Sequence, residues 1–190
     1  MTLEGEHVCL EPLSLAHHAA LCDVGLDDDI WRWMTALVRT PDDMRRYIET
    51  ALDWQAAGTA LPFATVDLGS GRVIGTTRFA NIEREHRRGE IGWTWLGREW
   101  QRTAANTEAK LLMLEHAFET LGWLRVEFKT DVLNARSRAA LARIGAREEG
   151  TLRRHMITDT GRVRDSVYFS IINEEWPAVR DALRDRLARG

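Results

Sequence analysis

Gly89-Glu90-Ile91-Gly92-Trp93-Thr94-Trp95-Leu96-Gly97 leads into Arg98-Glu99-Trp100-Gln101-Arg102-Thr103-Ala104-Ala105-Asn106-Thr107, and then into Glu108-Ala109-Lys110-Leu111-Leu112-Met113-Leu114-Glu115-His116-Ala117-Phe118. The first segment carries few charges and two tryptophans two positions apart, which predicts a strand. The last places Ala109, Leu112, Met113 and Ala117 at helical spacing. Small and polar residues join them. A strand that passes through such a loop into a helix N-terminus leaves several backbone N–H groups unpaired at the positive end of the helix dipole, which suits phosphate. The same spacing also fits an ordinary strand-to-helix connection, so the loop has to be judged with its surroundings.

Upstream, Leu61 to Leu68 and Val73 to Ile82 flank Gly69-Ser70-Gly71, a hairpin pattern. Thr40-Pro41-Asp42-Asp43 combines a capping threonine, a proline for the first turn and acids for the positive helix end, so it predicts a helix to about Ala57, stopped by Gly58. Before it, Val8, Leu10 and Pro12 alternate with polar residues as a short strand. Ser14 is placed to cap a helix through Val24, and a second short helical piece spans Asp28 to Met34. Downstream, Gly122 closes the central helix and Arg125 to Asp131 alternates as a strand. Asn134 caps a helix that Gly145 ends, and Glu149 to Thr158 and Val163 to Ile172 surround the turn Asp159-Thr160-Gly161. A terminal helix starts at Glu174, with Pro177 in its first turn.

The chain has 190 residues, 44% of them hydrophobic and 29% charged, as in a soluble globular protein. With no repeat, low-complexity tract or linker, a single α/β (α+β) domain over residues 1–190 is the economical reading. A net charge of -3 provides no general attraction for nucleic acid. No stretch has the apolar length of a membrane span or the shape of a signal peptide, so a cytoplasmic protein is expected. Cys9 and Cys22 lie far from any metal or redox spacing and read as small buried side chains in a reducing compartment; no metal site is visible.

The order strand, two helices, three strands, helix, strand, helix, two strands resembles the GNAT superfamily of acetyl-CoA-dependent N-acetyltransferases. That family's pyrophosphate loop is usually written Gln/Arg-x-x-Gly-x-Gly/Ala. Anchoring on Thr107-Glu108-Ala109 puts Gln101 first, with Ala104 and Asn106 where glycines are usual. Glycine is favoured where backbone takes positive φ or approaches a phosphate closely, which bears on the shape of this loop. Thr130-Asp131-Val132-Leu133-Asn134-Ala135-Arg136-Ser137 resembles the family's Asn-x-x-Ser junction, where the asparagine commonly bonds the pantetheine arm and the serine lies near the thioester sulfur. Ile144-Gly145-Ala146, Glu149-Gly150-Thr151-Leu152-Arg153 and Glu174-Glu175-Trp176-Pro177 resemble the RimJ/RimL-like branch that acetylates the N-termini of ribosomal proteins. The resemblance covers essentially the whole chain and is strongest from Gly89 to Pro177. It implies a GNAT fold, a mixed and mostly antiparallel sheet of about seven strands with flanking helices.

It also implies acetyl-CoA as co-substrate, held by the backbone of Leu96, by the loop Gln101, Arg102, Thr103, Ala104, Ala105, Asn106 and Thr107, and by Asn134. The acceptor is an amine, expected to be a protein N-terminus; a small-molecule amine and a non-catalytic acyl-CoA sensor are the alternatives, and a homodimer is compatible with the family. Ser137 is the first choice to donate to the departing thiolate, though a serine there could equally bond its own backbone. The glutamate proposed as base in part of this branch is replaced by Met156, which leaves His155, Glu90 and Asp165 as the nearby candidates. Trp31 and Trp33 lie in the region that walls the acceptor groove in this family, and Trp31, beside Asp27, Asp28 and Asp29, is placed to meet a cationic amine through its face or the acids.

Overall fold

The computed structural model describes residues 1–189. Eight strands, β1 (Leu3–Glu4), β2 (Val8–Pro12), β3 (Leu61–Asp67), β4 (Arg72–Glu83), β5 (Arg88–Leu96), β6 (Arg125–Asp131), β7 (Arg147–Ile157) and β8 (Val163–Ile172), form one sheet in the order β1-β2-β3-β4-β5-β6-β8-β7. Every neighbouring pair is antiparallel except β5 and β6. The helices are α1 (His18–Gly25), α2 (Asp28–Trp31), α3 (Pro41–Ala56), α4 (Ala104–Glu115), α5 (Ala135–Arg143) and α6 (Trp176–Ala188). α1 to α3 cover one face, where Met44, Ile48 and Ala51 meet Leu13, Ala64 and Trp95. α4 to α6 cover the other, where Met113, Leu114, Leu141 and Leu183 meet Val126, Phe128, Val167 and Ile171.

Local chemistry explains most boundaries. Thr40 Oγ1 accepts the Asp43 N–H at 3.1 Å, Asp43 Oδ2 accepts the Thr40 N–H at 2.9 Å, and Pro41 opens the first turn of α3. Two predicted helices are shorter than their patterns suggest. After Ser14 the chain makes a 3-10 turn over Leu15–His17, because His17 Nδ1 accepts the Ser14 N–H at 3.1 Å, and α-helix begins only at His18. α2 ends at Trp31 rather than Met34.

The eighth strand, β1, is two residues long and carries no periodicity to read. It is held through a distant group. The Glu108 carboxylate, on α4, accepts the N–H groups of Glu6, His7 and Val8 at 2.7–2.8 Å. Gly5 permits the approach, since a Cβ there would lie 2.4 Å from the carboxyl carbon of Glu108. The N-terminal hairpin is thereby tied to the helix that follows the loop of residues 101–103.

The decisive feature is an opening inside the sheet. β5 and β6 pair in parallel only from Arg88 to Glu90 and Arg125 to Glu127, after which they separate. β6 stays paired to β8 as far as Asp131, while β5 follows β4 through a bulge between Thr76/Trp95 and Arg78/Gly92 that puts Trp93 at φ +48°. A bulge bends a strand and re-aims its side chains, and a non-glycine residue in the left-handed region persists only where packing fixes it. Trp93 is fixed edge-on by Trp54 at 5.1 Å and lies against the Arg78 guanidinium at 5.2 Å. The separated strands leave a cleft that passes from one face of the sheet to the other.

Candidate active site

On the face of α4 to α6, the cleft opens beneath the N-termini of α4 and α5. Thr103 caps α4: its hydroxyl accepts the Ala105 N–H at 3.3 Å and donates to the Trp100 carbonyl at 2.8 Å. The remaining first-turn N–H groups of α4 have no helical acceptor and point along the positive dipole end. Gln101 spans the mouth, its Nε2 donating to the Leu96 carbonyl at 3.0 Å and its Oε1 accepting from Arg136 Nη1 at 2.9 Å. Asn134 caps α5 by accepting the Ser137 N–H on Oδ1 at 3.0 Å, which leaves its amide nitrogen for a ligand. The Ser137 hydroxyl lines the cleft and has no hydrogen-bond partner among the described residues.

On the opposite face the cleft meets Ile30, Trp33, Met34, Trp93, Lys129 and Arg164. Register places these last two. Lys129 pairs with Tyr168 and Asp131 with Ser166, whereas Val167, Phe169 and Ile171 point into the α4 to α6 core. Lys129 Nζ lies 3.2 Å from Glu90 Oε2 and between the rings of Trp93 and Tyr168. Charge is distributed one way. Among the described residues the charged side chains lining the cleft are Arg102, Lys110, Lys129, Arg136, Arg143 and Arg164, with no carboxylate.

A strand gap lined by Thr94, a helix N-terminus and charged side chains that are all basic fit a long thioester carrying a pyrophosphate. The sequence profile of the acetyltransferase (GNAT) domain matches residues 7–147. The chain belongs to the GNAT acetyltransferase family. It is similar to the putative ribosomal N-acetyltransferase YdaF of Bacillus subtilis, 28% identical over 90% of this chain and 94% of that one. Among solved structures it is similar to a GCN5-related N-acetyltransferase from Brucella melitensis, 32% identical with a TM-score of 0.91, covering 98% of this chain and 85% of that one. It is also similar to Mycobacterium smegmatis RimJ in complex with CoA-disulfide, 26% identical with a TM-score of 0.80, covering 94% and 88%. This GNAT enzyme is therefore an N-acetyltransferase that uses acetyl-CoA, which supplies the activated acetyl group as a thioester.

Within the GNAT site, the sequence-predicted residues divide. Leu96, Gln101, Arg102, Thr103, Asn106, Thr107, Asn134, Ser137 and Trp33 line the cleft. Ala104 and Ala105 do not; Ala105 packs in the core, and the left-handed residue is Arg102 at φ +67° rather than either position where glycine is usual. Ala104 and Asn106 sit in the first turn of α4 in helical geometry, so their lack of glycine does not distort the loop. Trp31 is a correction. It is 2% exposed, donates Nε1–H to the Gly25 carbonyl at 2.7 Å and packs against Tyr47 and Trp95. The acids beside it are occupied too, Asp27 and Asp29 by Arg98 and Asp28 by Arg39. These acids are thus shared with arginines rather than unpaired.

Glu90 and His155 lie behind the cleft wall. Glu90 is 2% exposed, its carboxylate bound by Asn81 Nδ2 at 2.8 Å as well as by Lys129, so it anchors Lys129. His155 packs edge-on to Tyr168; burial, then Lys129 and Arg164, hold it below the usual histidine range, and its Nδ1 has no partner among the described residues. Asp165 is engaged in accepting the Arg154 N–H at 2.6 Å.

Sequence reading missed Lys110, Lys129 and Arg164. Lys110 left a signal, because it shares a helical stripe with Met113, Leu114 and Ala117, all fully buried. Its Nζ donates to Thr94 Oγ1 at 2.6 Å and Thr77 Oγ1 at 3.2 Å, and burial lowers its pKa from 10.5 to about 7. In the unfolded chain this amine stays protonated to about pH 10. The cost of burying its charge is therefore complete below pH 7, and native stability rises between pH 7 and about 10, where only the unfolded chain holds the proton. Lys110→Met should stabilise the fold at pH 6 by an amount on the order of a few kcal/mol, shrinking by pH 9. Urea titrations of both proteins at the two pH values test this; an equal gain at both would contradict the assigned titration.

Proposed function

We propose that the enzyme acetylates the α-amine of a protein N-terminus, with a ribosomal protein as the leading candidate. The observation that carries this reading is the absence of any carboxylate from the cleft lining among the described residues. Attack on the thioester needs an uncharged amine: its nitrogen bonds to the carbonyl carbon, the C–S bond breaks, and the amine's proton ends on the departing thiol or in water. An α-amine with a pKa of about 7.7 is roughly one-sixth neutral at pH 7, whereas a lysine at about 10.4 is neutral in roughly one molecule in 2500. A site without a carboxylate base serves the first far better. A lining whose charged groups are all basic also disfavours polyamines. The name of YdaF, a putative ribosomal N-acetyltransferase, points to the same class of acceptor.

Within this reading Ser137, in the cleft with its hydroxyl unengaged, donates to the thiolate, and Asn134 and the first turn of α4 hold the pantetheine and pyrophosphate. Thiol release at pH 7 from acetyl-CoA and a free α-amine peptide should exceed that with an N-terminally blocked lysine peptide by more than tenfold, and the gap should narrow as pH is raised. Faster reaction of the blocked lysine peptide at pH 7 would overturn the α-amine assignment.

A further inference from the structure

Arg164 is unusual in this site. It is 5% exposed, it lines the cleft on the face opposite the pyrophosphate loop, and its Nε has no hydrogen-bond partner among the described residues. Its nearest carboxylate, Asp131, is 3.9 Å away and already committed, one oxygen to Arg162 and the other to the Leu133 N–H. Behind Trp93, Arg78 is 1% exposed against the rings of Tyr47, Trp54 and Trp93, with Nε and Nη2 also unpartnered. Glu90 is in direct contact with Lys129. This face of the cleft thus holds more buried cation than carboxylate, and a buried guanidinium whose hydrogen bonding is left unmet destabilises the free protein unless a ligand completes it.

We propose that Arg164 binds a carboxylate carried by the acceptor itself, so that the preferred substrate is an amine with a carboxylate nearby, as in a peptide that begins with an acidic residue. The inference rests on reading this cleft as the acceptor site of the acetyltransferase. A guanidinium fork matches a carboxylate in a two-point, charge-assisted contact, which gives orientation as well as affinity. The same surplus of positive charge acts on the acceptor's nitrogen, where it disfavours the ammonium form. One arrangement therefore selects an anionic acceptor and keeps its nucleophile neutral without a carboxylate base.

The test follows thiol release from saturating acetyl-CoA with two hexapeptides that differ only in Asp or Asn at the first position, and with β-alanine against β-alaninamide. The Asp peptide should have kcat/KM about tenfold or more above the Asn peptide, since loss of a charge-assisted contact costs at least that much. Arg164→Gln should erase the ratio by slowing the Asp peptide far more than the Asn peptide, and Arg164→Lys should keep part of it, with acetyl-CoA still raising the melting temperature of both variants. Should Arg164→Gln fail to fold, the Asp-to-Asn ratio on the unaltered enzyme decides. Equal rates, or a faster Asn peptide, overturn the proposal and leave the α-amine reading standing. Discrimination confined to β-alanine, with both peptides silent, supports carboxylate recognition and instead sinks the protein N-terminus.

Discussion

Replacing Asn106 by aspartate should abolish the stabilisation of this protein by acetyl-CoA while leaving the unliganded fold intact. Asn106 lies in the first turn of α4 and lines the cleft, so the change is close to isosteric and adds only a negative charge. For the free protein that charge is welcome, because an acid in the first turn of a helix interacts favourably with the dipole by about 0.3–1 kcal/mol. For the complex it is not. Two unit charges 5 Å apart at an effective dielectric constant of 20 repel by about 3 kcal/mol, and a pyrophosphate carries more than one, so affinity should fall by over a hundredfold. A ligand at a hundred times its dissociation constant adds about 2.7 kcal/mol to stability, and after such a loss less than about 0.5 kcal/mol remains. Melting temperatures with and without acetyl-CoA measure both halves of the expectation. Retained stabilisation in Asn106→Asp would mean that the anion loop lies elsewhere, and a depressed melting temperature without ligand would mean that Asn106 does structural work in α4.

The features that sequence made legible here share a physical cause. Thr40 with Asp43, Asn134 with Ser137, and the Gly69-Ser70-Gly71 turn encode their geometry within four residues, and the structure follows them closely. What stayed hidden depends on groups distant in the chain. The hairpin of β1 and β2 is held by a carboxylate a hundred residues away that binds the backbone of its turn, and the helix after Ser14 is delayed by a histidine ring. Trp31 looks like a groove residue until Tyr47 and Trp95 close on it. The site divides in the same way. The loop and the helix cap proposed for the cofactor are each contiguous in the chain, so motif reading can name them. Lys129 and Arg164 reach the opposite side of the cleft only through the register between β6 and β8 and the bulge that turns β5 away, and neither is written in any local pattern.

Ser137→Ala should lower kcat by about 10²-fold, the low end for general acid catalysis, with acetyl-CoA affinity and melting temperature nearly unchanged. The structure separates the serine's two potential roles. The capping bond at this helix start runs from the Ser137 backbone N–H to Asn134 Oδ1, so it survives truncation of the side chain, and the hydroxyl itself has no partner among the described residues. Its removal therefore leaves no buried group unsatisfied. A thioester sulfur is a poor acceptor in the ground state, but negative charge gathers on it as the C–S bond breaks, and an interaction made only then changes kcat rather than binding. Because a thiolate leaves more readily than an alkoxide, the expected effect is modest for an acid catalyst. Single-turnover rates and acetyl-CoA titrations of the variant distinguish the cases. Full turnover would confine Ser137 to its backbone role in α5, and a loss of acetyl-CoA binding in step with rate would make its hydroxyl a ground-state ligand of the cofactor.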